Sequence, residues 1–334
     1  MHYCTRCVLP STFPGITFSD QGVCNHCLNY QPSLSSRQKE EYLAKFVSLI
    51  KECQNRGSHD VLVSYSGGKD SSFTLDLFKN TFGLRVLAFT LDNGFVSKLA
   101  LQNMARVTEA LCIDHILVKP RFDLLKKIFA AAATNEDLYA RKTLERASPI
   151  CTACISFVKF IGLRLAIENQ IPFAGFGWSP GQAPVQSSVM KVNPGLVKMT
   201  QKTLLAPLTT IVKAQELEPY FLTDRHFALM QQEHSLWNIH PLAFLDYSEE
   251  KIFRRIEALG WQKPDDTGAH STNCLLNPLA IESHKEKYRF HPYAWEIAGI
   301  VRDGAMSRTE GLERIITKEP SEMVDYARQR LELA

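Results

Sequence analysis

The chain has 334 residues, 45% of them apolar and 22% charged, and 38 basic against 35 acidic side chains leave a net charge of +3. That is the composition of a globular chain long enough for one large domain or two smaller ones, with no strong polyanion footprint, although a local basic patch can hide in a balanced total. No run approaches the ~18 consecutive apolar residues of a membrane span. The start, Met-His-Tyr-Cys-Thr-Arg-Cys, lacks a signal peptide's apolar core, so a cytoplasmic protein with no membrane partner is expected.

Residues 1–30 read as a small module with four cysteines and too few large apolar residues for a core of its own. Cys4-x-x-Cys7 and Cys24-x-x-Cys27 suit a zinc ribbon or knuckle, because four thiolates close a tetrahedral structural Zn²⁺ site. A [4Fe–4S] cluster is the second choice there. Residues 31–57 form a linking helix, whose Tyr42, Phe46, Leu49 and Ile50 fall on one face. From 58 to 180 short apolar strands alternate with helices. The strands fall at 60–65, 85–91, 115–118 and 172–176, the helices at 72–80, 98–111, 124–132 and 154–169. This alternation predicts an α/β fold, a doubly wound parallel sheet covered on both faces. Its ligands belong at the carboxyl ends of the strands. The loops after residues 65, 91 and 176 therefore share one edge. From 181 to about 270 the alternation fades among several prolines, and the tail to 334 reads as mostly helical. There are no internal repeats and no low-complexity segments.

Ser66-Gly67-Gly68-Lys69-Asp70-Ser71 lies between the first strand and its helix. Adjacent glycines let backbone N–H groups converge on an anion, the helix start adds its positive dipole end, and Lys69 adds a mobile charge. The spacing is not that of a Walker loop. The segment resembles the pyrophosphate loop of the N-type ATP pyrophosphatases, the adenine nucleotide alpha hydrolase-like group. That resemblance implies a HUP-type doubly wound sheet and ATP cleaved to AMP and pyrophosphate. It also implies that the six loop residues cradle the phosphates with Mg²⁺, Lys69 and Asp70 taking catalytic parts. Thr90, Asp92 and Gly177 would flank the nucleotide.

The N-terminal segment, with Tyr3-Cys-x-x-Cys-Val-Leu-Pro10, Phe13-Pro-Gly-Ile16 and Gly22-Val-Cys-x-x-Cys27, resembles N-acetyl sugar amidotransferases over about 75 residues. A second pattern, Cys151-Thr-Ala-Cys154 with the distant Cys274, resembles tRNA thiolases of the two-thiocytidine type. There three cysteines hold a [4Fe–4S] cluster with one iron open for sulfur. On that resemblance Cys151, Cys154 and Cys274 are catalytic residues and cluster ligands. A sulfur-relaying dithiol, or a zinc site completed by His270 or His284, are the alternatives. Sugar amidotransferases also carry a C-x-x-C before a helix at this point. Cys53 and Cys112 are expected to be buried packing residues.

Gly175-Phe-Gly-Trp-Ser-Pro-Gly-Gln182 leaves the last strand on the same edge. Trp178 offers a stacking face there, and Ser179 and Gln182 can read an amide or hydroxyl. Lys191, Lys198 and Lys202 suit a substrate phosphate or a solvated face. Ser307 with Glu310 makes a helix-start capping box. Two functions follow. One is ATP-dependent adenylation of an amide or carbonyl oxygen and its replacement by sulfur, on a small molecule or nucleotide rather than tRNA. Its sulfur donor would be a protein such as a cysteine desulfurase. The other is amidotransfer to an acetamido sugar, with ammonia from a partner glutaminase. A homodimer is expected in either case.

Overall fold

Four parallel strands form the centre of the molecule, a computed structural model that describes residues 2–30, 36–178, 182, 185–232, 235–268 and 270–333. They are β1 (Val61–Ser64), β2 (Val86–Leu91), β3 (Asp114–Val118) and β4 (Phe173–Phe176). Two three-residue strands extend the sheet: β5 (Val189–Lys191), which is antiparallel, and β6 (Trp237–Ile239), which is parallel to β4. The strand order is β3-β2-β1-β4-β6-β5. β1 therefore pairs on one side with β2, Val61 opposite Val86, and on the other with β4, Val61 opposite Phe173. The connection from β3 to β4 crosses β1 and reverses the winding, which opens a crevice between the loops after β1 and β4.

Fourteen helices surround this sheet among the described residues. The first six are α1 (Asn25–Leu28), α2 (Ser36–Cys53), α3 (Lys69–Asp76), α4 (Lys98–Leu111), α5 (Phe122–Thr134) and α6 (Pro149–Glu168). Then come α7 (Pro194–Leu208), α8 (Ala214–Leu217), α9 (Asp224–Gln232) and α10 (Glu249–Glu257). The tail forms α11 (Asn277–Tyr288), α12 (Ala294–Arg302), α13 (Arg308–Ile316) and α14 (Ser321–Leu331). Successive strand residues point to opposite faces, and the two core layers follow from that. Leu62, Leu87, Phe89 and Leu91 pack with α5, α6, α7, α11 and α14. Val61, Val63, Val86 and Ala88 pack with α2, α3, α4 and α10. A doubly wound, mostly parallel α/β sheet is thus what the alternation predicts.

Several elements depart from the sequence reading. β5 and β6 come from the stretch where the alternation fades, because three-residue strands at a sheet edge carry no periodicity to detect. α6 begins at Pro149 rather than near residue 154, with Ser148 as N-cap accepting the Cys151 N–H at 3.1 Å. It is also long and apolar enough to pass for a membrane span by length and composition. In this fold it is a core helix, more than half buried against β1, β2 and β4. The four-cysteine segment shares a core with the tail: Val8, Leu9 and Phe13 pack against Phe290, Ala294, Ile297 and Ile315 of the α12–α13 region. Arg308, just after the Ser307 cap, donates to the carbonyls of Cys4 and Cys7 at 3.0 and 3.1 Å.

Candidate active site

The loop after β1 is held open by its neighbours. Gly67 has φ +74°, and a Cβ there would lie 2.7 Å from the Ala100 carbonyl. The Trp261 indole N–H donates to the Gly67 carbonyl at 2.9 Å. Ser66 and Ser71 hydroxyls meet at 3.0 Å, and Ser71 and Ser72 donate to the Gly68 carbonyl. Gly68 caps α3 with no side chain, so the first-turn N–H groups of Lys69 and Asp70 face the crevice uncapped. An uncapped helix start carries the positive end of the dipole and accepts an anion.

Lys69 does not point freely into that crevice. Its Nζ donates to Tyr247 Oη at 2.7 Å and to Glu249 at 2.6 Å, and Asp70 lies 3.4 Å away. Tyr247 in turn donates to Asp70 at 3.0 Å. Burial works against the Lys69 charge, yet Asp70, Tyr247 and Glu249 more than offset it and hold its pKa above the ordinary lysine value. Lys69 is therefore a fixed cation. A twin bond from Arg255 to Asp76, both contacts at 2.8 Å, locks α10 against α3 and so fixes Tyr247 and Glu249 at the loop.

The other two carboxyl-end loops close on this one. Gly177, after β4, lies against the backbone of Asp70 and Ser71. Asp92, after β2, accepts the Gly94 N–H at 2.9 Å and pairs with Lys119 at 3.0 Å. Thr90 is placed differently from the expectation that it flanks a nucleotide. Its side chain is buried, donating to the Tyr65 carbonyl at 2.6 Å and meeting His115 Nε2 at 2.8 Å. Ser179 lies outside the described residues, while the Gln182 side chain hydrogen-bonds to Glu296. Trp178 stacks on His240, centroids 4.4 Å apart. Lys198 pairs with Asp224 at 3.8 Å.

Cys151, Cys154 and Cys274 come together beside the loop. Cys151 and Cys154 occupy the first turns of α6, where three-residue spacing puts both on one face. Cys274 sits in a segment that pairs antiparallel with the chain after β2: Ser97 N–H donates to Asn273 O at 2.9 Å and Leu275 N–H to Phe95 O at 2.8 Å. The preceding Thr272 hydroxyl lies 2.7 Å from where a Gly68 Cβ would be. One side chain links the sulfurs. Asn93 Nδ2 is 3.3 Å from Cys154 Sγ and 4.0 Å from Cys274 Sγ, and Asn93 Oδ1 accepts the Phe95 N–H. Burial pushes Cys151 up, Cys154 to about 12 and Cys274 to about 11, so the metal-free thiols hold their protons at neutral pH.

Residues that belong to no sequence motif complete the site. Asn277 and Tyr293 lie by Cys151, and Asn277 Nδ2 donates to Tyr293 Oη at 2.5 Å. Glu296, one turn further on α12, faces Asp70 and Lys69, and burial raises its carboxyl to about 7. No local sequence signal marks Asn93 or Glu296. Cys53 is buried as expected, whereas Cys112 is exposed because it caps α4 in the left-handed conformation, φ +50°.

At the other end of α12 the four N-terminal cysteines form a group fit to hold one metal ion. Cys4 and Cys27 sulfurs are 3.8 Å apart, as are Cys7 and Cys24. Thiolates ~2.3 Å from a single tetrahedral ion stand ~3.8 Å apart, so these two separations match those of a set that holds one ion. Burial raises the Cys4 thiol, but N–H bonds from Cys7, Cys24 and Arg6 bring it down to about 7. Burial lifts Cys24 to about 11. Arg302 approaches Cys7 Sγ at 3.8 Å. Cys151, Cys154 and Cys274 do not draw within 4.8 Å of one another in this way.

No protein-family model matches the chain. It is similar to the uncharacterized protein MJ1599 of Methanocaldococcus jannaschii, 25% identical over 332 residues that cover 98% of each chain. Among solved structures it is similar to the U34-tRNA thiolase NcsA from Methanococcus maripaludis with its [4Fe–4S] cluster. That match has 14% identity and a TM-score of 0.35, covering 100% of this chain and 99% of the thiolase. It is also similar to the NH3-dependent NAD synthetase from Campylobacter jejuni in complex with nitrate, at 12% identity and a TM-score of 0.29, over 70% of this chain and 99% of the synthetase. Likenesses of this size carry no chemistry across to this chain.

Proposed function

We propose that the chain is an ATP-dependent, AMP-forming enzyme that activates an amide-type oxygen on a small acceptor and replaces it with sulfur. The observation that carries this reading is that Asn93 bridges Cys154 and Cys274, with Cys151 close enough to Cys274 to interact with it, beside the Ser66–Ser71 loop. ATP would lay its pyrophosphate on the uncapped start of α3, held by Ser66, Gly68, Lys69 and Ser71 with Mg²⁺, and its adenosine along Asp92. The acceptor oxygen attacks the α-phosphorus and pyrophosphate leaves. Lys69 and the loop N–H groups stabilise the charge that develops. A sulfur nucleophile then adds to the activated carbon, and AMP leaves with the bonding electron pair. Glu296, near neutral pKa, is suited to exchange the proton involved.

The wider spread of the three cysteines suits a [4Fe–4S] cluster, whose thiolates bind different irons, better than a single zinc ion, which would draw the sulfurs together. A cluster with one open iron would supply a place to hold sulfur. The four N-terminal cysteines suit one structural Zn²⁺.

The test separates activation from delivery. Changing Cys151, Cys154 or Cys274 to Ala should abolish sulfur incorporation and leave acceptor-dependent pyrophosphate release measurable. A wild-type sulfur yield in all three variants would overturn the reading. A nitrogen-transfer reading is favoured by the resemblance of Tyr3–Cys27 to sugar amidotransferases. Amidine formed from ammonia at a rate indifferent to the three substitutions would put it first.

A further inference from the structure

The tail contains a buried cluster that the chemistry above does not use. One ring nitrogen each from His270 and His291 and one oxygen of Glu319 lie within 4.8 Å of one another. The His270 and Glu319 side chains are 7% and 3% exposed, and His291 is 2% exposed. Buried polar atoms in native proteins are nearly always partnered. Here His270 Nε2, His291 Nε2 and Glu319 Oε2 have no hydrogen-bond partner. The nearest measured approach, His270 Nε2 to Glu319 Oε1, is 3.7 Å, too long for a hydrogen bond. Three unpartnered donor atoms thus face a common point with no protein atom to satisfy them.

We propose that His270, His291 and Glu319 form a buried site for one divalent transition-metal ion of the zinc class, separate from the four-cysteine site. Nitrogen and carboxylate ligands 2.0–2.2 Å from one ion stand ~3.3–3.6 Å apart, so the 3.7 Å edge needs only a small closure. Two imidazoles and one carboxylate suit zinc rather than magnesium or calcium, which take oxygen shells. His270 is already oriented as a ligand. Its other ring nitrogen donates to the Arg314 carbonyl, which fixes the tautomer and leaves the Nε2 lone pair inward. His291 accepts the Tyr293 N–H at Nδ1, 3.1 Å, so in the metal-free chain its Nε2 carries the proton. To ligate through Nε2, the His291 ring carries its proton at Nδ1 instead and gives up the Tyr293 N–H bond, and Glu319 supplies an anionic oxygen. Lys285 stands beside the site, its Nζ held by the carbonyls of Ile315 and Thr317 at 3.3 Å. His284, whose ring nitrogens are also unpartnered, stands nearby but outside the three-ligand set.

The ligands come from three segments: the loop before α11, the turn into α12 and the turn into α14. His270 lies four residues from Cys274 and His291 two from Tyr293, so a bound ion would tie the cysteine loop to the start of α12. Metal analysis of the full chain tests this without reference to activity. Glu319→Gln, which keeps the side-chain shape, should hold one zinc equivalent fewer than wild type, and His270→Ala likewise. Cys24→Ser should lose a different equivalent, so the Cys24→Ser/Glu319→Gln chain loses both. If Glu319→Gln unfolds, cobalt added to Cys24→Ser decides. Thiol-bound cobalt gives sulfur-to-cobalt charge-transfer bands, so the expected result is one further cobalt equivalent with weak visible bands that is missing in Cys24→Ser/His270→Ala. Equal cobalt uptake by the two chains would overturn the proposal. Unchanged zinc content in folded Glu319→Gln and His270→Ala would overturn it equally.

Discussion

Replacing Gly177 with alanine places a Cβ 2.7 Å from Ser71 Cα, 2.8 Å from Ser71 N and 2.9 Å from the Asp70 carbonyl carbon. All three are backbone atoms at the start of α3, so no side chain can rotate away. Bringing the first contact to 3.4 Å, where ordinary packing begins, takes a shift of about 0.7 Å between the end of β4 and the phosphate-binding helix start. Overpacking of this kind costs about 1–3 kcal/mol. A misplacement near 1 Å at a reacting centre costs on the order of 100-fold in rate. Gly177→Ala should therefore melt a few degrees lower and release AMP and pyrophosphate about 10–100-fold more slowly. Gly162→Ala in α6 is the control: its Cβ meets Phe89 and Ser64 at no less than 3.6 Å. There alanine gains up to about 1 kcal/mol of helix propensity. Differential scanning calorimetry and a coupled pyrophosphate assay on both variants read the contrast. Equal melting temperatures and equal rates would refute the claim that the two loops are packed tightly enough to set each other's position.

Lys69→Ala and Asp70→Ala should each abolish AMP and pyrophosphate release while circular dichroism stays that of wild type; ADP and phosphate as products would show another kind of nucleotide site. Cys24→Ser should lower both zinc content and melting temperature, because the ion's binding energy is folding energy, and unchanged values of both would remove the structural role. Burial raises Glu296 from the ordinary 4.5 to about 7, so the native state keeps a proton that the unfolded chain has released. Stability should then fall as pH rises from about 4.5 to about 7 and level off above. Glu296→Gln should flatten that slope, which is worth at most about 3 kcal/mol given the residue's partial exposure. An identical pH dependence in denaturant titrations of Glu296→Gln would place the slope on other groups.

The parts of the molecule readable from sequence are those whose physics is local. Ser66–Ser71 announces itself because a strand, two glycines and a lysine must be contiguous to build an anion seat. The C-x-x-C pairs are visible because one turn brings their sulfurs together. The start of α6 was legible too, since Ser148-Pro149 is an N-cap followed by a proline at the first helical position. The expected start near residue 154 leaves that signal unused. Asn93, Tyr247, Glu249 and Glu296 are different. Each acts through a partner 60 or more positions away: Asn93 with Cys154, Tyr247 and Glu249 with Lys69, Glu296 with Gln182. Only the fold brings such pairs together. Thr90 shows the converse, a polar residue in the right place along the chain whose side chain the sheet uses for itself.

The shared core of the cysteine ribbon and the α12–α13 region also sets an order of assembly. Val8, Leu9 and Phe13 leave the ribosome early, while the Phe290, Ile297 and Ile315 side chains that cover them are made near the end. At roughly 5–20 residues per second, Phe13 waits roughly 14–55 s for Phe290. During that interval the ribbon lacks the cover of the tail, and metal capture by Cys4, Cys7, Cys24 and Cys27 would be the interaction available to hold its shape. Early metallation would thus present the tail with a finished surface on which to seat α12, and with it Tyr293 and Glu296.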